Sequence, residues 1–158
     1  MSMQKQGGSV NIMKGQIIAV CISDTKGVRK APCPSGVFLE NYGMENDAHA
    51  ERGIKRQVSL LSVGSIEKMK SMGLSVGPGD FAENLTVEGM KLHTLLPGTR
   101  IAVGSEVILE ISQIGKACHA GCAIFKEVGK CIMPKEGVFA TVVKGGEVRT
   151  GDEVEIVT

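Results

Sequence analysis

The sequence predicts a mainly β fold, a mostly antiparallel β-barrel with two or three attached helices. Its 158 residues fit a single domain, and its 21 glycines punctuate short runs rich in Val and Ile, which is typical of β proteins. Hydrophobic residues make up 42% of the chain and charged residues 22%, so a soluble domain with a core can form. Only 3% of the residues are aromatic and none is Trp, so that core must be built from Val, Ile, Leu and Met.

The predicted elements follow from runs of apolar residues and from the turn residues between them. Residues 15–23 are a short apolar run that predicts a buried strand, whereas residues 24–36 carry prolines and basic residues and predict a loop or hairpin tip. A helix is predicted over residues 62–72, with Ser62 as N-cap and Gly73 at its end, and a second helix over residues 119–129. Further strands are predicted over residues 37–41, 57–62, 81–87, 99–103, 106–114, 138–143, 147–150 and 153–157.

Charge and composition exclude several classes of function. The 18 Lys and Arg residues nearly balance the 17 Asp and Glu residues, which removes a bulk electrostatic attraction to nucleic acid. No apolar run approaches the roughly 18 residues of a membrane-spanning helix. Five cysteines, an odd number, fit a reducing compartment better than a disulfide framework. We therefore expect a cytoplasmic protein with a flexible extension over residues 1–12 and a single domain over residues 13–158, binding neither nucleic acid nor membrane.

The densest reactive chemistry lies where a predicted strand leads into the second predicted helix. Cys118 and Cys122 would lie near the positive end of the helix dipole, with Lys116 and His119 adding positive charge, and both effects favour the thiolate. The alternative is that these cysteines are small buried hydrophobic residues, which we favour for Cys21 and Cys131. Zinc binding by this segment is less persuasive, because Cys-x3-Cys with one distant Cys lacks the paired short spacings of structural zinc sites.

A second group of polar residues lies between residues 43 and 57. Asp47 and His49 alternate along a segment that we expect to be extended, so they would point the same way. Arg52, Lys55 and Arg56 supply cations suited to a phosphate or carboxylate. The alternative is a solvated charged loop. Asn84, in a predicted strand, could bond a heterocycle or hold a turn.

Several motifs in order resemble those of the MOSC domain family, named for the C-terminal part of molybdenum cofactor sulfurases. The Asp-x-His segment at Asp47 is followed by Arg-Gln-Val-Ser-Leu from Arg56, and Phe-Ala-Glu-Asn-Leu begins at Phe81. Residues 116–122 occupy the position of the family's reactive cysteine, and residues 129–140 resemble the stand-alone bacterial subgroup. The resemblance covers about residues 13–158.

This resemblance implies a β-barrel that binds the pterin-based molybdenum cofactor. It implies Cys122 as the reactive cysteine, with Cys118 as the fallback. It includes no pyridoxal-phosphate desulfurase domain, so no pyridoxal phosphate is expected from this chain alone. The implied cofactor-binding or supporting residues are Asp47, His49, Arg56, Gln57, Asn84, Lys116 and the basic loop with Lys26, Arg29 and Lys30.

Three functions remain open at this point. The preferred one is a cofactor-binding protein in which a Cys122 persulfide carries sulfur to molybdenum, with a cysteine desulfurase or a molybdoenzyme as partner. The second is a reductase of N-hydroxylated compounds in which Cys122 is a molybdenum ligand. The third is a non-catalytic carrier that passes cofactor between biosynthetic proteins.

Overall fold

The computed structural model describes residues 14–116 and 132–157. These residues form eleven strands, a nine-residue α-helix, a single-turn α-helix and a three-residue 3-10 helix (Leu92–Thr94). In chain order they are β1 (Lys14–Ile22), β2 (Ala31–Cys33), β3 (Ser35–Leu39), β4 (Gly43–Met44), β5 (Val58–Ser62), α1 (Val63–Ser71), β6 (Leu85–Glu88), β7 (Arg100–Val103), β8 (Val107–Ile114), α2 (Met133–Glu136), β9 (Val138–Lys144), β10 (Gly146–Arg149) and β11 (Glu153–Val157).

Seven strands close into a barrel, which confirms the predicted mainly β class. The strand order is β11-β7-β8-β9-β5-β6-β1, and pairing of β1 with β11 closes it. Neighbouring strands are antiparallel except for the parallel pair β5 and β6. β2 adds to the outside edge of β1, and β10, β3 and β4 form a second small sheet. The barrel therefore has two short accessory strand groups near the ends of β1 and β9.

Branched aliphatic residues fill the barrel, as its composition requires. Along β8, buried and partly buried residues alternate from Val107 to Ser112, which is the pattern of a strand with one face toward a core. A second apolar cluster lies outside the barrel wall between β5, α1 and α2. It contains Leu61, Ile66, Met69, Val76, Phe81, Ala82, Met133 and Phe139. This outer cluster matters for function because four of its members reach the cavity described below.

Two predicted boundaries were wrong. The predicted loop or hairpin tip over residues 24–36 is the tip of the β1–β2 hairpin only up to Lys30, and its second part contains β2 and the start of β3. β2 pairs with β1 alone, so Pro32 lies on an edge strand, where a residue without a backbone N–H is tolerated. The strand predicted over residues 81–87 begins only at Leu85. Before it, the buried Glu83 carboxylate accepts the backbone N–H groups of Gly79 and Phe81, which holds a turn with Ala82 at a φ of 64°.

The first helix forms where the sequence predicts it, but without the expected cap. Ser62 occupies the N-cap position of α1 and makes no side-chain cap hydrogen bond. Its hydroxyl instead donates to the Met90 carbonyl and accepts the Leu92 N–H, which ties the barrel to the segment after β6. Gly73, at a φ of 92°, follows the helix end as predicted. The helix predicted over residues 119–129 lies outside the described residues.

In the described part of the chain, no helix is both long enough and apolar enough to cross a membrane.

Candidate functional site

A cavity of about 540 Å³ opens beside the barrel between the segment before β5, the turn before β6 and the start of α2. Phe81, Met133 and Phe139 supply its apolar surface, and Ser59 of β5 adds a hydroxyl. Its volume lies in the range of roughly 300–1,000 Å³ that is usual for small-molecule sites. The remaining lining residues are Lys26, His49, Glu51, Ile54, Lys55, Arg56, Ala82 and Lys116.

One wall of this cavity rests on a buried ionic cluster of Lys30, Asp47 and His49. The Lys30 Nζ lies 2.8 Å and 3.1 Å from the two Asp47 carboxylate oxygens, and both side chains have 0% exposure. The same Nζ lies 2.9 Å from Nδ1 of His49, whose side chain is 33% exposed. The cluster therefore connects the protein interior to the cavity surface through His49.

Backbone contacts explain how a lysine and an aspartate can be buried there. The Lys30 N–H donates to the Gly79 carbonyl, and Asp47 accepts the N–H groups of Ser23 and His49. A Cβ at Gly79, whose φ is 85°, would lie 2.2 Å from the Lys30 carbonyl oxygen, so only glycine fits this close approach. Asp47 and His49 lie in a turn rather than in the extended segment predicted, but they do meet, through Lys30.

The surroundings of His49 oppose its protonation. Burial lowers its pKa from 6.5 to about 4, and the Lys30 ammonium adds to this effect more than Asp47 offsets it. Lys116 and Lys26 lower the pKa further. At neutral pH His49 is therefore an uncharged imidazole in a cationic environment.

The described residues that line the cavity carry an excess of positive charge. Four cationic side chains and one carboxylate, that of Glu51, line the cavity. None of the four cations has an ion-pair partner among the described residues. The Arg56 guanidinium lies 5.7 Å from the centre of the Phe139 ring, a cation–π distance that orients it over the apolar wall. The four cationic residues are Lys26, Lys55, Arg56 and Lys116.

The other predicted site residues support the cavity from behind or lie away from it. The Asn84 side chain accepts the Ser59 N–H and donates to the Cys21 carbonyl, so it fixes β5 against β1. Gln57, at 0% exposure, accepts the Val142 N–H and donates to Asn41. Both are buried scaffold residues. Arg29 is not among the lining residues and forms an ion pair with Asp80 at 3.7 Å.

Sequence reasoning missed several lining residues. Ser59 and Phe81 lie within motifs that were singled out, so their position beside Asn84 could have indicated them. Phe139 and Met133 lie within residues 129–140, which were singled out for their resemblance to the stand-alone subgroup, but as apolar residues of a strand and its approach they do not differ from core residues. Glu51 and Ile54 likewise have no distinguishing pattern.

Cys21 packs in the core, whereas the predicted reactive cysteines lie outside the described residues. Cys21 is fully buried, and this burial raises the pKa of its thiol to about 12, so it stays protonated. This agrees with the packing role that we favoured for Cys21. Cys118, Cys122 and Cys131 lie in residues 117–131. Within residues 14–116 and 132–157, no group of three His, Cys, Asp or Glu side chains could hold a metal ion.

Removal of the Asp47 carboxylate should destabilise the fold strongly. In Asp47→Ala the buried Lys30 ammonium loses its counter-ion, which we expect to lower the free energy of unfolding by about 3–5 kcal/mol. The matched control is Glu110→Ala, which breaks an exposed pair with Arg100 at 3.0 Å and should cost at most about 1 kcal/mol. Urea denaturation measures both, and equal costs would contradict the buried-pair account.

The lowered pKa of His49 predicts a specific dependence of stability on pH. The unfolded chain binds a proton at the ordinary pKa of 6.5, whereas the folded protein binds it only near pH 4. The unfolded state is thus favoured in this interval as the pH falls, so the free energy of unfolding should decrease from about pH 6.5 to about pH 4. Denaturation at several pH values should show a smaller decrease in His49→Gln. An identical pH profile in the variant would rule out this role of His49.

Comparison with known proteins places the chain in a group of related folds. The YUAD protein from Bacillus subtilis superimposes with a TM-score of 0.76 over 91% of this chain and 96% of its own, at 22% identity. YiiM from Geobacillus stearothermophilus aligns with a TM-score of 0.69 over 91% of this chain and 75% of its own, at 17% identity. YiiM from Escherichia coli gives 0.67 over 92% and 70%, at 18% identity. These likenesses show a shared fold.

The family follows from the sequence itself. No curated protein matches the chain. The family model of the MOSC domain matches residues 46–155, a span that runs from just before Asp47 to the last barrel strand. The match includes His49, Arg56, Asn84 and Lys116. The chain therefore belongs to the MOSC domain family.

Proposed function

We propose that the cavity binds the pterin-based molybdenum cofactor and that Cys122 carries sulfur for it as a persulfide. The observation that carries the proposal is a small-molecule cavity with four cationic side chains that lack ion-pair partners among the described residues. Membership of the MOSC family directs this chemistry to a molybdenum cofactor. A cavity lined by several cations suits an anionic ligand, because Lys and Arg bind phosphate with charge-assisted hydrogen bonds.

The cavity residues fit the parts of such a cofactor. Its phosphate suits Lys55, Arg56 or Lys116, and a planar heterocycle suits the apolar surface of Phe81 and Phe139. The Ser59 hydroxyl offers a polar contact, although it already donates to the Ala82 carbonyl. A volume of about 540 Å³ is adequate for a ligand of this class. When bound, the cofactor would supply the metal ion that accepts the sulfur.

The sequence connects the reactive cysteines to this cavity at both ends of their segment. Lys116 lines the cavity and precedes Cys118 by two residues and Cys122 by six. Met133, which also lines the cavity, follows Cys131 by two residues. This connectivity supports a cysteine acting beside the bound ligand, with Cys122 preferred for its position in the family motif.

Sulfur loading of Cys122 is chemically balanced without an added oxidant. The Cys122 thiolate attacks the terminal sulfur of a persulfide on a partner cysteine desulfurase. A new sulfur–sulfur bond forms on Cys122 as the bond in the donor breaks, and the donor cysteine leaves as a thiolate. Nearby positive charge such as that of Lys116 favours the attacking thiolate.

Loss of a cavity cation should weaken cofactor binding. Arg56→Gln removes a charge-assisted contact worth roughly 1.5–3 kcal/mol, so we expect at least about a tenfold loss of affinity for molybdopterin. Lys14→Gln is the matched control, because Lys14 is an exposed cation paired with Glu155 outside the cavity. Equilibrium dialysis of the purified protein measures both variants. The proposal fails if the wild type does not bind or if Arg56→Gln binds as the wild type does.

Sulfur loading is tested by mass spectrometry under non-reducing conditions. After incubation with a cysteine desulfurase and cysteine, the wild type should gain one sulfur atom, and Cys122→Ser should not. Cys21→Ser is the matched control, since its buried, protonated thiol cannot serve as acceptor and its loss should change nothing. Loss of the gain only in Cys118→Ser would transfer the role to Cys118. No gain, together with a retained molybdopterin mass, would instead favour the reductase.

A further inference from the structure

The contacts of Lys30 determine where His49 carries its proton. Lys30 Nζ lies 2.9 Å from His49 Nδ1 and also contacts both oxygens of Asp47. An ammonium group has three donors and no acceptor. Nδ1 must therefore accept the hydrogen bond and be unprotonated. A neutral imidazole with an unprotonated Nδ1 carries its hydrogen on Nε2.

The two alternative arrangements conflict with the same contacts. A protonated Nδ1 would need a lone pair on Lys30 Nζ, and the ammonium group that forms the ion pair with Asp47 at 2.8 Å has none. A doubly protonated ring would set two cations and two opposed N–H groups 2.9 Å apart. The charged groups around His49 are Lys30, Asp47, Lys26 and Lys116, so positive charge prevails.

The other ring nitrogen, Nε2, lies on a side chain that lines the cavity. Among the described residues, His49 Nε2 has no hydrogen-bond partner, and the one buried side-chain polar atom without a partner is His93 Nδ1. The His49 side chain is 33% exposed and lines the cavity, so Nε2 is the ring nitrogen that can meet a ligand there. Its N–H group is a donor whose position is fixed by a buried cluster rather than by a flexible stem.

We propose that Lys30 is a positioning residue that holds His49 in the Nε2–H tautomer, so that the cavity presents a fixed N–H donor to an oxygen acceptor of its ligand. The tautomer does not depend on the identity of the ligand, whereas the oxygen acceptor rests on the proposed function. Lys30 would thus act without touching the ligand. The two lysines of the predicted basic loop then have different roles. Lys26 lines the cavity, whereas Lys30 lies behind His49 and fixes its tautomer.

The tautomer is measured by long-range proton–nitrogen correlation spectra of the ligand-free protein labelled with nitrogen-15 in histidine. In the wild type at neutral pH, Nδ1 of His49 should resonate in the unprotonated range and Nε2 in the protonated range. The His49→Gln spectrum assigns the signals. A wild-type His49 with its proton on Nδ1 would overturn the proposal.

Lys30→Met tests whether Lys30 is the cause, because it keeps an unbranched apolar stem and removes the ammonium. Asp47, whose Oδ2 lies 4.0 Å from His49 Nδ1, would then attract a proton to that nitrogen. We expect Nδ1 to become protonated and the pKa of His49 to rise from about 4 toward 6.5. Lys68→Met, which removes an exposed lysine paired with Glu136, should leave the His49 signals unchanged. An unaltered His49 spectrum in Lys30→Met would refute the role of Lys30.

A further wild-type measurement keeps the test decisive if Lys30→Met does not fold. A scalar coupling between Lys30 Nζ and His49 Nδ1 across their hydrogen bond is expected, and its absence together with a freely exchanging Lys30 ammonium would contradict the proposal.

The contact between the His49 N–H donor and an oxygen acceptor of the ligand is tested with molybdopterin. His49→Gln, which retains an N–H donor, should bind several-fold more tightly than His49→Leu. If the wild type binds and the two variants bind with equal affinity, the proposed hydrogen bond from His49 to a ligand oxygen is wrong, whereas cofactor binding by the cavity still holds.

Discussion

The burial of the Lys30 ammonium against Asp47 is the constraint on which the site depends. Two fully buried opposite charges are stable only when their hydrogen bonds are satisfied, and Ser23, His49 and the two partners themselves satisfy them. Ser23 follows β1, Lys30 precedes β2 and Asp47 lies in the turn after β4, so these three segments must meet at one point. His49 extends from this point to the cavity surface, so the packing of these segments positions the site.

The electrostatic design of the cavity separates two kinds of cation. Lys30 is paired and buried and acts on His49, whereas Lys55, Arg56 and Lys116 face the cavity without ion-pair partners in the described part of the chain. The buried Lys30 fixes the position of the His49 ring, and the cations that face the cavity attract an anion. His49 lies between them and stays neutral because both kinds oppose its protonation. A neutral donor beside several cations suits a ligand that carries both a phosphate and polar ring or chain oxygens.

The sequence indicated most of the barrel because its strands are apolar runs that end at glycines. It misplaced β2, since Pro32 suggests a loop and only an edge position makes it acceptable in a strand. Among site residues, the motif containing Asp47 and His49 was recognisable. The burial of Lys30 could not be predicted from the sequence. Its partner Asp47 is 17 residues away, and the Lys30 backbone bonds to the distant turn at Gly79. The role of Phe139 in the cavity wall could not be predicted for a similar reason, because only tertiary packing places this strand residue beside Arg56.

The central claim is that the cavity beside His49 is the cofactor site, and a crystal structure of the protein with bound molybdopterin tests it most directly. The account predicts the phosphate within hydrogen-bond distance, about 3 Å, of Lys55, Arg56 or Lys116. It also predicts His49 Nε2 donating to a ligand oxygen, with Lys30 and Asp47 unmoved behind it. A ligand bound on another surface, or one that leaves His49 and all of these cations without contact, would contradict it.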